Sequence, residues 1–238
     1  MTGGNSGIGL SISRRLAFDG FCVFSGSRNG CIQYLVRDGI LLKEKLNDIS
    51  CLDVTSEQSI RDFLDYVGKV SGVIDCVVNS AGVSHGSLLQ TTRSDDLRRC
   101  LEVNFIGPIS VIRNSLRFMR RSKYSSVINI SSSTASRSDI GTLAYGSSKA
   151  ALEFSGYVLA AELARYKIRV NTVSPGITQT QMLNDMSERS INENKSACYL
   201  NRIAEPDDVA NLVSFLASEN AAHINGLLLR VDGGQLCR

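Results

Sequence analysis

A tyrosine and a lysine stand four residues apart, at Tyr145 and Lys149, within Tyr-Gly-Ser-Ser-Lys. On a helix this spacing places both side chains on one face. A free phenol has a pKa of about 10 and is a poor base at neutral pH unless a nearby cation favours its ionised form. The two residues are therefore a candidate acid–base pair, although the same spacing also occurs on solvated helix faces.

A glycine-rich segment opens the chain, Thr2-Gly3-Gly4-Asn5-Ser6-Gly7-Ile8-Gly9. It leads into a helical repeat of Ile8, Ile12 and Leu16 that ends before Gly20. Glycines let backbone N–H groups approach a phosphate, and the positive end of a helix favours its charge. The segment predicts a dinucleotide site, and an ordinary turn before a helix is the alternative.

Six short apolar runs with amphipathic segments between them predict the elements that position these residues. The runs are Phe21–Ser25, Ile49–Val54, Val73–Val78, Val127–Ser131, Val170–Ser174 and Leu227–Val231. Such an alternation is typical of βα units around a parallel sheet that helices cover on both faces. A second helix, with Ile60, Phe63, Leu64 and Val67, is predicted after Thr55–Ser56. Residues 29–47 show no clear pattern, and nothing marks a linker, so we expect one domain over residues 1–238.

The bulk composition excludes several classes of function. The 238 residues carry a formal net charge of +3, which gives no reason to expect nucleic acid or a membrane as partner. Seven cysteines without a CxxC pair argue against a disulfide framework and a zinc site, so we expect no metal and a cytoplasmic location. Two histidines, His85 and His223, are too few and too poorly placed for a Ser–His–Asp hydrolase.

The glycine-rich segment resembles the TGxxxGxG cofactor loop of the short-chain dehydrogenase/reductase family, and similar motifs continue to the C-terminus. The resemblance implies an α/β fold with a Rossmann-type doubly wound parallel sheet. The family has a full strand before this loop, whereas here only Met1 precedes Thr2. We therefore expect the N-terminal strand to be truncated and the chain to be incomplete, which leaves import into an organelle open.

The resemblance also implies a catalytic tetrad of Asn104, Ser132, Tyr145 and Lys149. Ser132 precedes Tyr145 by thirteen residues, the spacing of the family's substrate-orienting serine, and only this spacing selects it over Ser131 and Ser133. Asn104 resembles the helix asparagine that holds a water beside the lysine, with a helix kink as the alternative. During reduction Tyr145 would protonate the carbonyl oxygen while the nicotinamide delivers hydride.

The cofactor is expected to be NADP(H) rather than NAD(H). Ser27 stands where an acidic side chain would bind the ribose of NAD, and Arg28 offers a charged fork to a 2′-phosphate. A solvated loop charge is the alternative role of Arg28. The cofactor-binding residues implied by the resemblance are Gly3, Asn5, Ser6, Gly7, Ile8, Gly9, Arg28, Asp53, Val54, Asn79, Ala81, Gly82, Tyr145, Lys149, Pro175, Gly176, Thr178 and Thr180.

The substrate is the least determined part. Residues 181–200 fall where the family has its mobile lid, and the segments 202–209 and 231–234 resemble the 3-oxoacyl-[acyl-carrier-protein] reductase branch. We expect NADPH-dependent reduction of a small-molecule ketone or carrier-bound 3-oxoacyl thioester, by a homotetramer or homodimer. An alcohol, sugar or steroid dehydrogenase is one alternative, and a catalytically silent NADP-binding scaffold is another. A basic group could dock the carrier or form a solvated face; its members are Arg120, Arg121, Lys123, Arg165 and Lys167.

Overall fold

The computed structural model describes residues 1–46, 51–137, 139–181, 183 and 188–236, which form a Rossmann-like α/β fold. The helices are α1 (Gly7–Phe18), α2 (Glu57–Ser71), α3 (Ser94–Leu101), α4 (Gly107–Met119), α5 (Leu143–Leu163), α6 (Glu188–Ala197) and α7 (Pro206–Ala217). The strands are β1 (Val23–Ser27), β2 (Gly30–Arg37), β3 (Ile40–Lys45), β4 (Cys76–Asn79), β5 (Ser125–Ile130), β6 (Ile168–Pro175) and β7 (Leu228–Val231). None of the described helices is both long and apolar enough to cross a bilayer.

The central sheet is parallel, in the order β4-β5-β6-β7. Val77 of β4 pairs with Val127 of β5, which pairs with Val170 of β6. Val127 belongs to a core cluster with α2 and α4, whereas its neighbour Ile128 packs with α1 and α7. Helices therefore cover both faces, as the continuous apolar runs predicted.

A β-hairpin occupies the part of the sequence that showed no clear pattern. Strands β1, β2 and β3 form an antiparallel sheet, and the β2–β3 turn at Asp38-Gly39 has positive φ at both residues. Asp-Gly is a strong signal for such a two-residue turn. Tyr34 of β2 is buried against the α1 side of the core.

Two strand predictions need correction. The first strand begins at Val23 rather than Phe21. The prediction for Ile49–Val54 falls partly on residues 49 and 50, which lie outside the described residues, and it is wrong for residues 51–54, which form no strand. The hairpin strand β2 already pairs with β1, so only the hydrogen bond from Leu52 N to Ser27 O, 2.9 Å long, joins this segment to β1.

Strands β1 and β4 do not pair with each other, because only Met1 and Thr2 lie between them. Thr2 bridges both strands in the parallel sense, through Gly26 and Asn79. Beside these residues lies a cavity of about 480 Å³ with a largely apolar lining. The sheet is thus interrupted where the truncated strand was expected, and Thr2 holds its two parts together.

Candidate active site

Tyr145 and Lys149 lie on the first two turns of α5, which packs against β6. The Lys149 side chain is buried, and its Nζ donates a hydrogen bond of 2.8 Å to the carbonyl oxygen of Ile130, the last residue of β5. The same Nζ lies 6.0 Å from the centre of the Tyr145 ring. The helix therefore presents both groups at the carboxyl end of the parallel strands, where α/β folds place their ligands.

Burial controls the protonation of both groups. Desolvation lowers the pKa of Lys149 to about 8, although Glu153 and Cys100 act in the opposite direction. Desolvation raises the pKa of Tyr145, against a hydrogen bond from Ser132 that lowers it. From the sequence, a neighbouring cation is expected to favour the phenolate. Burial is the larger influence on the pKa of Tyr145, so the phenol holds its proton at neutral pH.

The structure distinguishes the three adjacent serines that the sequence could not. Ser132 caps a short 3₁₀ helix: its Oγ accepts a hydrogen bond from Thr134 N and donates one of 3.1 Å to Thr134 Oγ1. The same hydroxyl lies close enough to Tyr145 to act against the rise in the pKa of the phenol. Ser131 instead donates to Glu153 Oε1 at 2.8 Å, and Ser133 donates to Gln235 Oε1 at 3.3 Å. Of the three, only Ser132 affects the pKa of the Tyr145 phenol, and its role as the substrate-orienting serine stays a prediction.

Asn104 is fully buried in a π-helical turn, Glu102–Ile106, between α3 and α4. Its Nδ2 donates to Val83 O and Ser148 Oγ, both at 2.9 Å, and its Oδ1 accepts from Val83 N at 2.9 Å. The helix distortion considered as the alternative is present, whereas the role of holding a water beside the lysine stays a prediction. Asn104 ties the chain that follows β4 to helix α5 beside Lys149.

The glycine-rich loop packs tightly at the start of α1. A Cβ added to Gly9 would lie 2.2 Å from Gly3 O. Gly3 has a φ of +67°, and a Cβ added there would lie 2.7 Å from Ala81 N. The first turn of α1 has no acidic residue, and Ser6 makes no side-chain cap. The backbone N–H groups at this end therefore remain suited to an anionic group.

A cleft of about 710 Å³ runs from this loop to Tyr145 and Lys149. Most of the residues expected to bind the cofactor line it, namely Gly3, Ser6, Gly7, Ile8, Gly9, Arg28, Asp53, Val54, Ala81, Gly82, Tyr145, Lys149 and Thr180. The cleft has the start of α1 at one end and Tyr145 with Lys149 at the other. Its residues therefore fit a dinucleotide.

Five of the residues predicted to bind the cofactor are not part of the cleft lining; they are Asn5, Asn79, Pro175, Gly176 and Thr178. Asn5 binds Ser27 Oγ and Gly30 O. Asn79 donates to Asn129 Oδ1 on the next strand. The other three form the end of β6 and the turn after it, where Gly176 packs against the backbone of Asp232 and Thr178 is buried.

The rim of the cleft carries opposite charges. Arg28 is exposed beside Asp53, whose carboxylate accepts hydrogen bonds from Thr55 N and Oγ1. These bonds, with the charge of Arg28, hold the pKa of Asp53 below its usual value. Arg99 of α3 also lines the cleft, and no motif in the sequence marked it. Among the described residues, no group of three or more His, Cys, Asp or Glu could hold a metal ion.

Helix α6 forms part of the segment 181–200 that was expected to be the lid. Its Asn194 Oδ1 accepts from Arg137 Nη1 at 2.9 Å and from Gln235 Nε2 at 3.0 Å. Since Gln235 also binds Ser133, α6 is connected to the serine loop. Residue 182 and residues 184–187 of the expected lid lie outside the described residues.

A family model described as Enoyl-(Acyl carrier protein) reductase matches residues 3–235. A short-chain type dehydrogenase/reductase from Mycobacterium ulcerans superposes with a TM-score of 0.87 at 28% identity, covering 100% of this chain and 88% of that one. The chain belongs to the short-chain dehydrogenase/reductase family. Membership implies a nicotinamide cofactor and an oxidoreductase that acts on carbonyl or hydroxyl groups.

Other members of the family show comparable similarity. Carbonyl reductase family member 4 of Xenopus laevis is 36% identical over 232 residues, which are 98% of this chain and 94% of the relative. The 3-oxoacyl-[acyl-carrier-protein] reductase of Aquifex aeolicus is 33% identical over 236 residues, 98% of this chain and 95% of the relative. The aldohexose dehydrogenase of Thermoplasma acidophilum has a TM-score of 0.86 at 29% identity, over 100% of this chain and 92% of that one.

Proposed function

We propose that this protein is an NADPH-dependent reductase that converts a ketone, such as a 3-oxoacyl thioester, into a hydroxyl compound. The observation that carries the proposal is the group formed by Ser132, Tyr145 and Lys149 at the inner end of a cleft that begins at the α1 start. A protonated phenol, an adjacent hydroxyl and a nearby ammonium are the groups that reduction of a carbonyl requires.

The bound nicotinamide supplies the hydride. The Tyr145 phenol donates its proton to the substrate oxygen as negative charge develops there, and the Ser132 hydroxyl donates a hydrogen bond to the same oxygen. The Lys149 ammonium stabilises the phenolate that remains on Tyr145. The hydrogen bond to Ile130 O fixes the position of the ammonium. In the oxidation direction the same phenolate accepts the proton of the alcohol.

The activity is tested by the initial rate of NADPH oxidation with a panel of carbonyls that includes a 3-oxoacyl thioester, a diketone and an aldose. We expect turnover with at least one ketone, and a loss of at least about 100-fold in kcat for Tyr145→Phe. NADPH binding without turnover for every compound would favour the silent scaffold, for which the interrupted sheet is the supporting observation. Turnover confined to NAD⁺-dependent sugar oxidation would favour the dehydrogenase alternative. The structural similarity to the aldohexose dehydrogenase is the observation that favours this alternative.

We propose NADPH rather than NADH because Arg28 lies at the cleft rim and Ser27 has no charge to repel a 2′-phosphate. Replacing Arg28 with aspartate is expected to raise the KM for NADPH by about 100-fold and the KM for NADH by less than about threefold. Arg37→Asp, on the exposed end of β2, is the matched control. Equal losses for both cofactors would show that Arg28 does not read the phosphate.

The basic residues considered for carrier docking lie near the amino ends of the parallel strands, whereas the cleft lies at their carboxyl ends. Arg120 and Arg165 stack on Tyr166, just before β6 begins, and Tyr145 lies where the strands end. A carrier that delivers its acyl group to Tyr145 would therefore not dock on this group. We propose instead that a carrier-bound substrate enters near Arg99, which lines the cleft.

We also propose assembly into a homodimer or homotetramer through one face of α5. Phe154, Tyr157 and Val158 are exposed there, whereas Leu152 faces the core. An apolar helix face left in solvent is typical of a protein–protein contact. Sedimentation of the wild type against Phe154→Glu tests the proposal, and an unchanged mass for the variant, or a monomeric wild type, would contradict it.

A further inference from the structure

A buried carboxylate lies one helical turn beyond Lys149. Glu153 of α5 is only 8% exposed, and no motif of the sequence marked it. Glutamate is rarely buried without partners, because the charged form loses its hydration. A buried glutamate in this position therefore needs a specific reason.

The contacts of Glu153 lead directly to the catalytic group. Its Oε1 accepts a hydrogen bond of 2.8 Å from Ser131 Oγ. Ser131 stands between Ile130, whose carbonyl oxygen accepts the hydrogen bond from Lys149 Nζ, and Ser132, which meets Tyr145. Glu153 thus binds Ser131, which lies between Ile130, the hydrogen-bond acceptor of Lys149, and Ser132.

Charged and polar groups on several elements act on Glu153. Lys149 acts on it from its own helix and Arg230 from β7, whereas the neutral hydroxyls come from Ser131, directly after β5, and from Ser174 of β6. Burial raises the pKa of Glu153, while the hydroxyls and the two cations oppose this effect. In return, the charge of Glu153 counteracts the desolvation that lowers the pKa of Lys149.

We propose that Glu153 is a positioning residue for the Tyr145–Lys149 centre, which fixes Ser131 and keeps the ammonium of Lys149 charged. Its kinetic consequence rests on the proposed function, but its effect on Lys149 exists in the protein without cofactor or substrate. Two matched variants separate its two actions. Glu153→Gln keeps a hydrogen-bond acceptor and removes the charge, and Glu153→Leu removes both.

The test measures the titration of Lys149 Nζ by nitrogen-15 NMR in the cofactor-free protein, assigned with Lys149→Met. In Glu153→Gln we expect the Nζ titration to move by about one pH unit to lower pH, because a nearby negative charge has been lost. In carbonyl reduction the alkaline limb of kcat should move in the same direction, with the KM for NADPH within about twofold of wild type. Glu153→Leu should also lower kcat by about tenfold or more, because Ser131 loses its partner. Glu162→Gln, exposed on the same helix, is the control and should match wild type.

Two results would overturn the proposal. An Nζ titration in Glu153→Gln that coincides with wild type would show that the carboxylate does not act on Lys149. A fall in kcat without a shift of the pH profile would indicate a merely structural role. If the wild type reduces no carbonyl, the NMR titration still decides the role of Glu153, so failure of the proposed function stays distinguishable. If Glu153→Leu does not fold, the Gln variant alone decides.

Discussion

Replacing Lys149 with methionine is expected to stabilise the protein at neutral pH while removing its activity. The fold buries this ammonium and lowers its pKa from 10.5 to about 8. A difference of about 2.5 units, at 1.36 kcal/mol per unit, corresponds to about 3 kcal/mol that the folded state loses by keeping the charge. Methionine has a similar length and no charge.

Part of this gain is offset in the variant. Ile130 O loses its hydrogen-bond donor and Glu153 loses a nearby cation, which together cost about 1–2 kcal/mol. We therefore expect the free energy of unfolding at pH 7 to rise by about 1–2 kcal/mol. The rate of NADPH-dependent carbonyl reduction should fall to background, because no ammonium stabilises the phenolate of Tyr145.

The pH dependence identifies the cause. Between about pH 8 and pH 10.5 the unfolded chain holds the Lys149 proton and the folded chain does not, so rising pH stabilises the folded wild type. The buried charge of Lys149 destabilises the folded wild type by its full amount below about pH 8, and by only about 1 kcal/mol at pH 10. The stability advantage of the variant should therefore shrink, or reverse, as the pH rises.

Urea denaturation followed by circular dichroism at pH 7 and pH 10 measures both effects. Lys69→Met, on the exposed side of α2, is the matched control and should change the stability by less than about 0.5 kcal/mol. The reasoning is refuted if Lys149→Met is less stable than wild type at pH 7 by an amount that does not vary with pH. Such a result would mean that the contacts of the lysine outweigh the burial of its charge.

Two further substitutions test the elements around the cleft. Gly9→Ala is expected to weaken NADPH binding by more than about tenfold and to cost about 1–3 kcal/mol of stability, since the new Cβ would lie 2.2 Å from Gly3 O. Gly86→Ala, where the nearest atom lies 3.9 Å away, is its control, and equal effects in fluorescence titrations would contradict the argument. Asn104→Ala removes three buried hydrogen bonds and should lower both the stability, by about 2–4 kcal/mol, and kcat. An unchanged kcat in steady-state assays would show that Asn104 does not position α5.

The sequence predicted the parallel sheet and the pairing of Tyr145 with Lys149 because both depend on short-range periodicity. The four strands β4 to β7 form where apolar runs occur, and a spacing of four places the two side chains on one face of α5. The resemblance to the family added Ser132 and Asn104, and the structure shows that Asn104 is hydrogen-bonded to Ser148 beside Lys149.

Other features could not be predicted because they depend on long-range packing. The hairpin was missed although Asp38-Gly39 carried its turn signal, since the flanking strands lack a clear alternation. The roles of Asn5 and Asn79 follow from partners that are distant in the sequence. No pattern in the sequence marks Glu153, and only the structure reveals its hydrogen bond to Ser131.

The central claim is that the Tyr145 phenol supplies the proton for carbonyl reduction. Its most direct test is a single-turnover reaction of the NADPH-loaded protein with a reducible ketone, in which the decay of NADPH absorbance is followed for wild type and Tyr145→Phe. We expect the variant to bind NADPH within about threefold of the wild-type affinity and to transfer hydride at least about 100-fold more slowly. Hydride transfer at the wild-type rate by Tyr145→Phe would contradict the account.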